Sequence, residues 1–163
     1  MAPDRGSAAG AAAPKCPSRP FVGTIERVGD ESADQPAIDL RGRDVERALG
    51  FDFGSARNTT VYLASYPLRT TELGETIEAP EGETLVTIFL RPASGDLEPG
   101  RKLRSPKDQI TAIVDTGGGA RATTSGAEAT VRVIAFDDDR VCFAIDYRDD
   151  FQVVKGKVRA DYP

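Results

Sequence analysis

One segment of the chain has residue types and a spacing that could carry a reaction. Residues 112–114 are apolar, and Asp115, Thr116 and Gly117 follow them directly. Two aspartate carboxylates that share one proton can activate a water molecule held between them. The small Thr-Gly pair would let two such loops approach each other across a dimer axis. Because the chain has a single Asp-Thr-Gly, this chemistry would need two copies of it.

This segment resembles the active-site loop of the retroviral-type aspartic proteases, which implies a homodimeric peptidase with Asp115, Thr116 and Gly117 as its catalytic loop. The chain departs from that loop at Gly118 and Gly119, which replace a small residue and an apolar continuation. The alternative is a strand that ends in a glycine-rich turn, where Asp and Gly are the preferred residues. We favour this alternative and keep the peptidase as the competing hypothesis.

The composition removes most other enzymatic mechanisms. The chain has no His, so the Ser-His-Asp and Cys-His arrangements, which need an imidazole base, are excluded. Two Cys without His are too few ligands for a structural zinc site, and no Ser-x-x-Lys spacing occurs. These absences favour a non-enzymatic protein, for which we expect no cofactor and no metal.

The charge balance makes nucleic acid an unfavourable partner. The chain has a net charge of -5, and no stretch of its sequence concentrates Lys and Arg as a phosphate-binding surface requires. No apolar run approaches the roughly 18 residues that a membrane-spanning helix needs. We therefore expect a protein or small-molecule ligand, contacted through the long loops 68–82 and 92–106.

The first 19 residues form a segment distinct from the rest. They are rich in Ala, Gly, Pro and Ser, and after Met1 they contain no aromatic residue and no aliphatic residue larger than Ala. Such a segment buries too little apolar surface to offset its ordering entropy, so it is predicted to be a flexible spacer before a single domain at 20–163. It lacks the apolar core of a signal peptide.

The two cysteines, Cys16 and Cys142, predict one disulfide bond. An even number of cysteines in a chain with a spacer-like start is typical of a protein from an oxidising compartment. The bond would close a loop of more than a hundred residues and would attach the spacer to the body of the protein. The alternative is that Cys142 is a buried free thiol that packs as a small apolar side chain.

Short apolar runs between turn signals predict an all-β fold of seven or eight strands. This spacing is typical of an antiparallel β-sandwich, with a small β-barrel as the alternative. For residues 45–53 the pattern leaves helix and strand open, and we prefer a strand in the second half. The other predicted strands are Phe21–Val28, Thr59–Ser65, Thr84–Arg91, Gln109–Asp115 and three C-terminal strands from residue 128 onwards.

The three C-terminal strands are predicted to form an antiparallel meander, because two acidic turns, 137–139 and 149–150, separate them. Solvated hairpin turns are preferred here over a Ca²⁺ site, since the EF-hand spacing is absent. The side chains predicted to face the core alternate along the strands. They are Val131, Val133, Ala135, Val141, Phe143, Ile145, Val154 and Val158.

From about residue 45 onwards, the order of features resembles a group of uncharacterised bacterial surface lipoproteins. The matching steps are Leu63–Pro67, Glu98–Gly100, Gly117–Gly119, Thr130–Val133, Asp137–Asp139 and Gly156–Val158. The first 19 residues are likewise similar to the spacer after the lipid-modified Cys of such proteins. The resemblance implies an antiparallel β-sandwich in the cell envelope, lipid-anchored and with a binding or structural role. A cytoplasmic location is the alternative.

Overall fold

The computed structural model describes residues 15–27, 38–41, 47–51, 58–68, 78–117 and 127–162, and these form an all-β fold. No helix in these ranges is long and apolar enough to cross a membrane. The strands are β1 (Phe21–Arg27), β2 (Ile38–Arg41), β3 (Arg47–Phe51), β4 (Thr59–Ala64), β5 (Leu85–Arg91), β6 (Lys102–Arg104), β7 (Gln109–Asp115), β8 (Glu128–Phe136), β9 (Arg140–Arg148) and β10 (Gln152–Asp161).

The strands form two antiparallel sheets. The long sheet has the order β6-β8-β9-β10-β1-β2, and the short sheet has the order β3-β4-β5-β7. A single parallel pair, Asp161 with Leu49, joins the two. Within the described residues the sheets do not close into a barrel, so the barrel alternative is wrong and the arrangement is consistent with a β-sandwich.

The core is built from the alternate side chains of both sheets that face each other, as the two-residue period of strands requires. Its members come from β1 and from β4–β10, together with Leu97 of the loop before β6, and Phe21, Ile88, Val114, Phe143 and Val158 are examples. The predicted core residues of the meander are buried except Ala135, whose prediction is wrong. A bulge between Val133 and Ala135 shifts the register, so Phe136 takes the inward position and Ala135 pairs with Cys142.

Strand positions in the structure largely confirm those predicted, and the last three strands form the expected meander. The preferred strand in the second half of 45–53 is confirmed by β3. Two strands were not among those predicted: β2 at Ile38–Arg41, and β6, which lies within the predicted loop 92–106. β6 has three residues, of which only Leu103 is buried, and this is too short for an alternating pattern to be recognised in the sequence. The segment is a strand because it pairs with β8. Residues 1–14, most of the predicted spacer, lie outside the described residues.

The disulfide between Cys16 and Cys142 is present, and this prediction is confirmed. Cys142 lies between two core residues of β9, so its side chain faces away from the core, on the outer face of the long sheet. Its Sγ is nevertheless fully buried, since the segment 15–20 lies on that face and the Pro20 carbonyl accepts a hydrogen bond from the Arg159 amide. The chain therefore enters the domain across the outer face.

Buried side chains of the long sheet form hydrogen bonds with backbone groups at the edge of β7 that does not pair with β5. The Val114 carbonyl accepts a hydrogen bond from Arg27 Nη1 at 2.8 Å, and the Val114 amide donates to Gln152 Oε1 at 3.2 Å. The Ala112 amide donates to the Tyr147 hydroxyl. Burial and a hydrogen bond to Asp149 raise the pKa of Tyr147, so its hydroxyl stays protonated. These contacts join the two sheets through polar groups in the interior.

Replacing Gln152 by Leu should lower the free energy of unfolding by about 1–3 kcal/mol, because the buried Val114 amide loses its acceptor. Urea unfolding measures the change. Gln109→Leu is the matched control: this glutamine is exposed on β7, and its loss should change stability by less than about 0.5 kcal/mol. Equal effects of the two substitutions would contradict the edge-satisfying role of Gln152.

The double substitution Cys16→Ser with Cys142→Ala should lower the free energy of unfolding by about 4–5 kcal/mol. The two residues are 126 positions apart, so the unfolded chain regains much conformational freedom when the bond is absent. Urea unfolding with and without reductant checks this: the wild type should lose stability on reduction and the variant should not. A variant as stable as the oxidised wild type would contradict the prediction.

Candidate functional site

The Asp-Thr-Gly segment lies at the end of β7, on the outer face of the short sheet. Asp115 pairs with Leu85 across the strands and is only 2% exposed. A second, smaller apolar cluster surrounds this end of the sheet. Its members are Tyr62, Ala64, Leu68, Ala79 and Leu85, with Tyr66 packed against them. The carboxylate thus lies beneath a covering segment, residues 78–84.

Both oxygens of the Asp115 carboxylate accept hydrogen bonds from backbone amides. Oδ1 accepts from the Gly117 amide at 2.9 Å, and Oδ2 accepts from the Ala79 amide at 3.0 Å. Gly117 has a φ of 85°, and a Cβ there would lie 2.5 Å from the Pro80 carbonyl oxygen. The residue types of the motif are therefore explained by a tight turn that packs against the covering segment, residues 78–84.

These contacts support the interpretation of the motif as a strand end. The geometry brings Asp115, Thr116 and Gly117 together at a turn, and the carboxylate of Asp115 is an acceptor for backbone donors within its own chain. The homodimeric peptidase stays a prediction. Absence of cleavage of denatured protein substrates by the wild type at mildly acidic pH would end it.

In the two acidic turns of the meander, aspartate carboxylates also accept hydrogen bonds from nearby backbone amides. Asp137 Oδ1 accepts from the amides of Asp139 and Arg140, and Asp149 Oδ1 accepts from the amides of Phe151 and Gln152. Among the residues that the structure describes, no group of three or more potential ligands is arranged to hold a metal ion. The turns are thus self-capped hairpin connections.

The outer face of the long sheet presents a concentration of basic side chains. Strand register places Lys102, Arg132, Ala144 and Lys157 in one row across β6, β8, β9 and β10. The adjacent row contains Arg104, Thr130, Asp146 and Lys155. All members of the two rows except Ala144 are exposed. We call these two rows the basic face.

Two neighbouring grooves run along this face. The first, of about 550 Å³, lies over Ala144 and Gly156 and has Arg132 and Lys157 among its lining residues. The second, of about 670 Å³, continues from Arg104 towards Ser105, Glu128 and Arg148. The small side chain of Ala144 leaves room between the long charged side chains on either side of it, so the face is a channel with basic walls.

The basic face carries five basic side chains and one acidic side chain, in a chain whose net charge is -5. The acidic one, Asp146, lies 3.8 Å from Lys155, and both side chains are more than half exposed. Sequence reasoning missed this surface because its residues are spread from position 102 to 157. The available signal was the alternation Lys-x-Arg in β6 and Lys-x-Lys in β10, combined with a register that only the fold supplies.

Buried contacts at the loop before β7 hold β6 in place. Asp108 Oδ1 accepts from the Ala93 amide, and Oδ2 accepts from the Arg104 amide. Ser105 Oγ donates to the Ala127 carbonyl and accepts from the Ala129 amide on β8. The ends of β6 are thereby fixed, and with them the positions of its two basic side chains.

The pKa of Asp108 reflects this role. Burial raises it, but the hydrogen bonds from the Ala93 and Arg104 amides, together with the charges of Arg101 and Lys107, outweigh burial and hold it below its ordinary value of 3.8. The charged form is therefore the one that the folded protein stabilises.

Comparison with protein-family models, with curated proteins and with solved structures finds no match for this chain. The candidate site therefore rests on its own geometry.

Asp108→Asn should destabilise the protein at neutral pH by about 1–3 kcal/mol, because one of two backbone amides loses its acceptor. The folded state has the lower pKa, so the stabilisation by the carboxylate is complete above its ordinary pKa and is lost as pH falls through the folded value. The difference between wild type and variant should shrink below about pH 4. Urea unfolding across acidic pH tests this, with exposed Asp138→Asn as control. A difference independent of pH would contradict it.

Proposed function

We propose that this chain is a non-enzymatic binding domain of the cell envelope, outside the cytoplasm, and that it binds its ligand through the basic face. The observation that carries the proposal is the gathering of five exposed basic side chains on one sheet face of an acidic chain. Such local charge of one sign, opposed to the net charge, is a feature of surfaces that attract and orient charged ligands.

The disulfide supports the location. A bond between Cys16 and Cys142 is consistent with an oxidising compartment, where such bonds persist, and glutathione opposes them in the cytosol. The resemblance of the first 19 residues to a lipoprotein spacer agrees with this. The finer assignment to the envelope, with a lipid anchor, is part of the proposal.

The entry of the chain supports a specific orientation. Cys16 is bonded to Cys142 on the outer face of the long sheet, which is the face that carries the basic rows. An anchor upstream of Cys16 would therefore hold the domain with its attachment and its binding surface on the same face. The basic face would then be kept within reach of envelope components.

Sedimentation with envelopes isolated from the native cells tests the binding surface. Wild-type protein should sediment with envelopes at low salt and be released at high salt, since exposed charge interactions are screened. Arg132→Glu with Lys157→Glu should stay in the supernatant. The matched control is Arg91→Glu with Lys107→Glu, which makes the same charge change at exposed positions outside the basic face. Equal binding by the two variants would overturn the proposal.

The intact mass of the protein from native cells, with and without thiol alkylation, tests its location. We expect a lipid addition and no alkylatable thiol. An unmodified mass with two reactive thiols would contradict both the envelope location and the anchor.

A further inference from the structure

We infer that the ligand of the basic face is a linear acidic polysaccharide that lies across strands β6, β8, β9 and β10. The inference rests on the proposed function and adds the chemical class of the ligand. Its basis is the arrangement of charges and hydroxyl-binding groups along the two rows, with the small residue Ala144 between the basic side chains.

The length of the basic row calls for an extended ligand. Neighbouring strands lie about 4.8 Å apart, so Lys102 and Lys157, three strand steps from each other, are separated by about 14 Å at the backbone. A compact anion could reach one or two of the basic side chains in this row. A linear polymer with repeated acidic groups could meet Lys102, Arg132 and Lys157 together.

The groove has a shape that admits a chain of rings. Ala144 and Gly156 line it, while Arg132 and Lys157 lie on either side of Ala144 in the row. The absence of a large side chain at position 144 leaves a path between the basic walls. Because the rows stand on paired strands, and β6 is fixed through Asp108 and Ser105, the backbone below the ligand needs little ordering on binding.

The adjacent row contains groups that suit hydroxyls. Asp146 and Thr130 lie between Arg104 and Lys155. The negative charge of the Asp146 carboxylate would repel a ligand that carries negative charge alone. Because a carboxylate accepts hydrogen bonds, Asp146 would bind a ligand that also carries O–H donors. Acidic sugars carry both kinds of group, and polyphosphate lacks the donors.

The same surface is poorly suited to nucleic acid bases and to membranes. None of the described residues that line the two grooves is aromatic, whereas single-stranded nucleic acids are held largely by stacking on aromatic side chains. Among the described residues, the large apolar side chain that is exposed is Val22, which pairs with Lys157 at the margin of the basic face. Interfacial insertion uses larger residues, such as Trp, Phe and Leu.

Titration calorimetry with an oligogalacturonate long enough to span the four strands tests the inference. We expect salt-dependent binding to the purified full chain, with galacturonate monomer and a neutral oligosaccharide of equal length binding far more weakly. Arg132→Gln should weaken binding by about tenfold or more, while Lys107→Gln, outside the basic face, should not. Circular dichroism confirms that each variant is folded.

Asp146→Ala is the diagnostic variant. It should weaken binding of the oligogalacturonate, because the hydroxyl acceptor is lost, and it should strengthen binding of polyphosphate, because a repulsive charge is removed. A rise in affinity for both polymers would overturn the inference, since the face would then act through charge alone. Tighter binding of oligothymidylate, polyphosphate or phosphatidylglycerol vesicles by the wild type would also overturn it.

The outcome is separable from that of the proposed function. Envelope binding that depends on Arg132 and Lys157, without oligogalacturonate binding, would leave the binding domain in place and reject the polysaccharide. Loss of both would reject the binding surface itself.

Discussion

The arrangement of the two sheets depends on satisfying the backbone at the inner edge of β7. The Val114 amide and carbonyl and the Ala112 amide are directed towards the long sheet, where they are buried and an unmatched polar group is costly. Arg27, Gln152 and Tyr147 supply the partners. Because these bonds are directional, they set where the short sheet sits, which apolar packing alone would leave less defined.

The same constraint determines what the long sheet presents to solvent. Gln152 and Tyr147 must point inward, and the two-residue period of a strand then directs Lys155, Lys157 and Asp146 outward. Gly156 lies between the two lysines and faces Gly23 of β1, where a Cβ would lie 2.4 Å from the Val22 carbonyl oxygen. Gly156 is therefore required by the close approach of β1 and β10 on the inner side of the sheet. On the outer face, the small side chain below the groove is that of Ala144.

The sequence allowed prediction of what is local and missed what depends on register. Strands with sustained alternation, such as Gln109–Asp115, are recognisable because burial of one face imposes a period of two. The disulfide followed from a count of two cysteines. β6 escaped detection because Leu103 is its one buried residue, and Ala135 was misplaced because a bulge has no composition signal in this run. The basic face could not be predicted, since its rows exist only once β6, β8, β9 and β10 are aligned.

The disulfide gives this surface a further property under the proposed function. The bond to Cys142 holds the incoming chain on the face that carries the basic rows, so a membrane attachment upstream would keep those rows within reach of the same envelope. Exposed charge contacts alone are weak, since salt screens them. Attachment on the same face strengthens them, because it raises the effective concentration of the ligand at the groove. The rest of the chain carries a net charge of -9, since the two basic rows contribute +4 to the total of -5, so it would repel anionic surfaces and favour this one orientation.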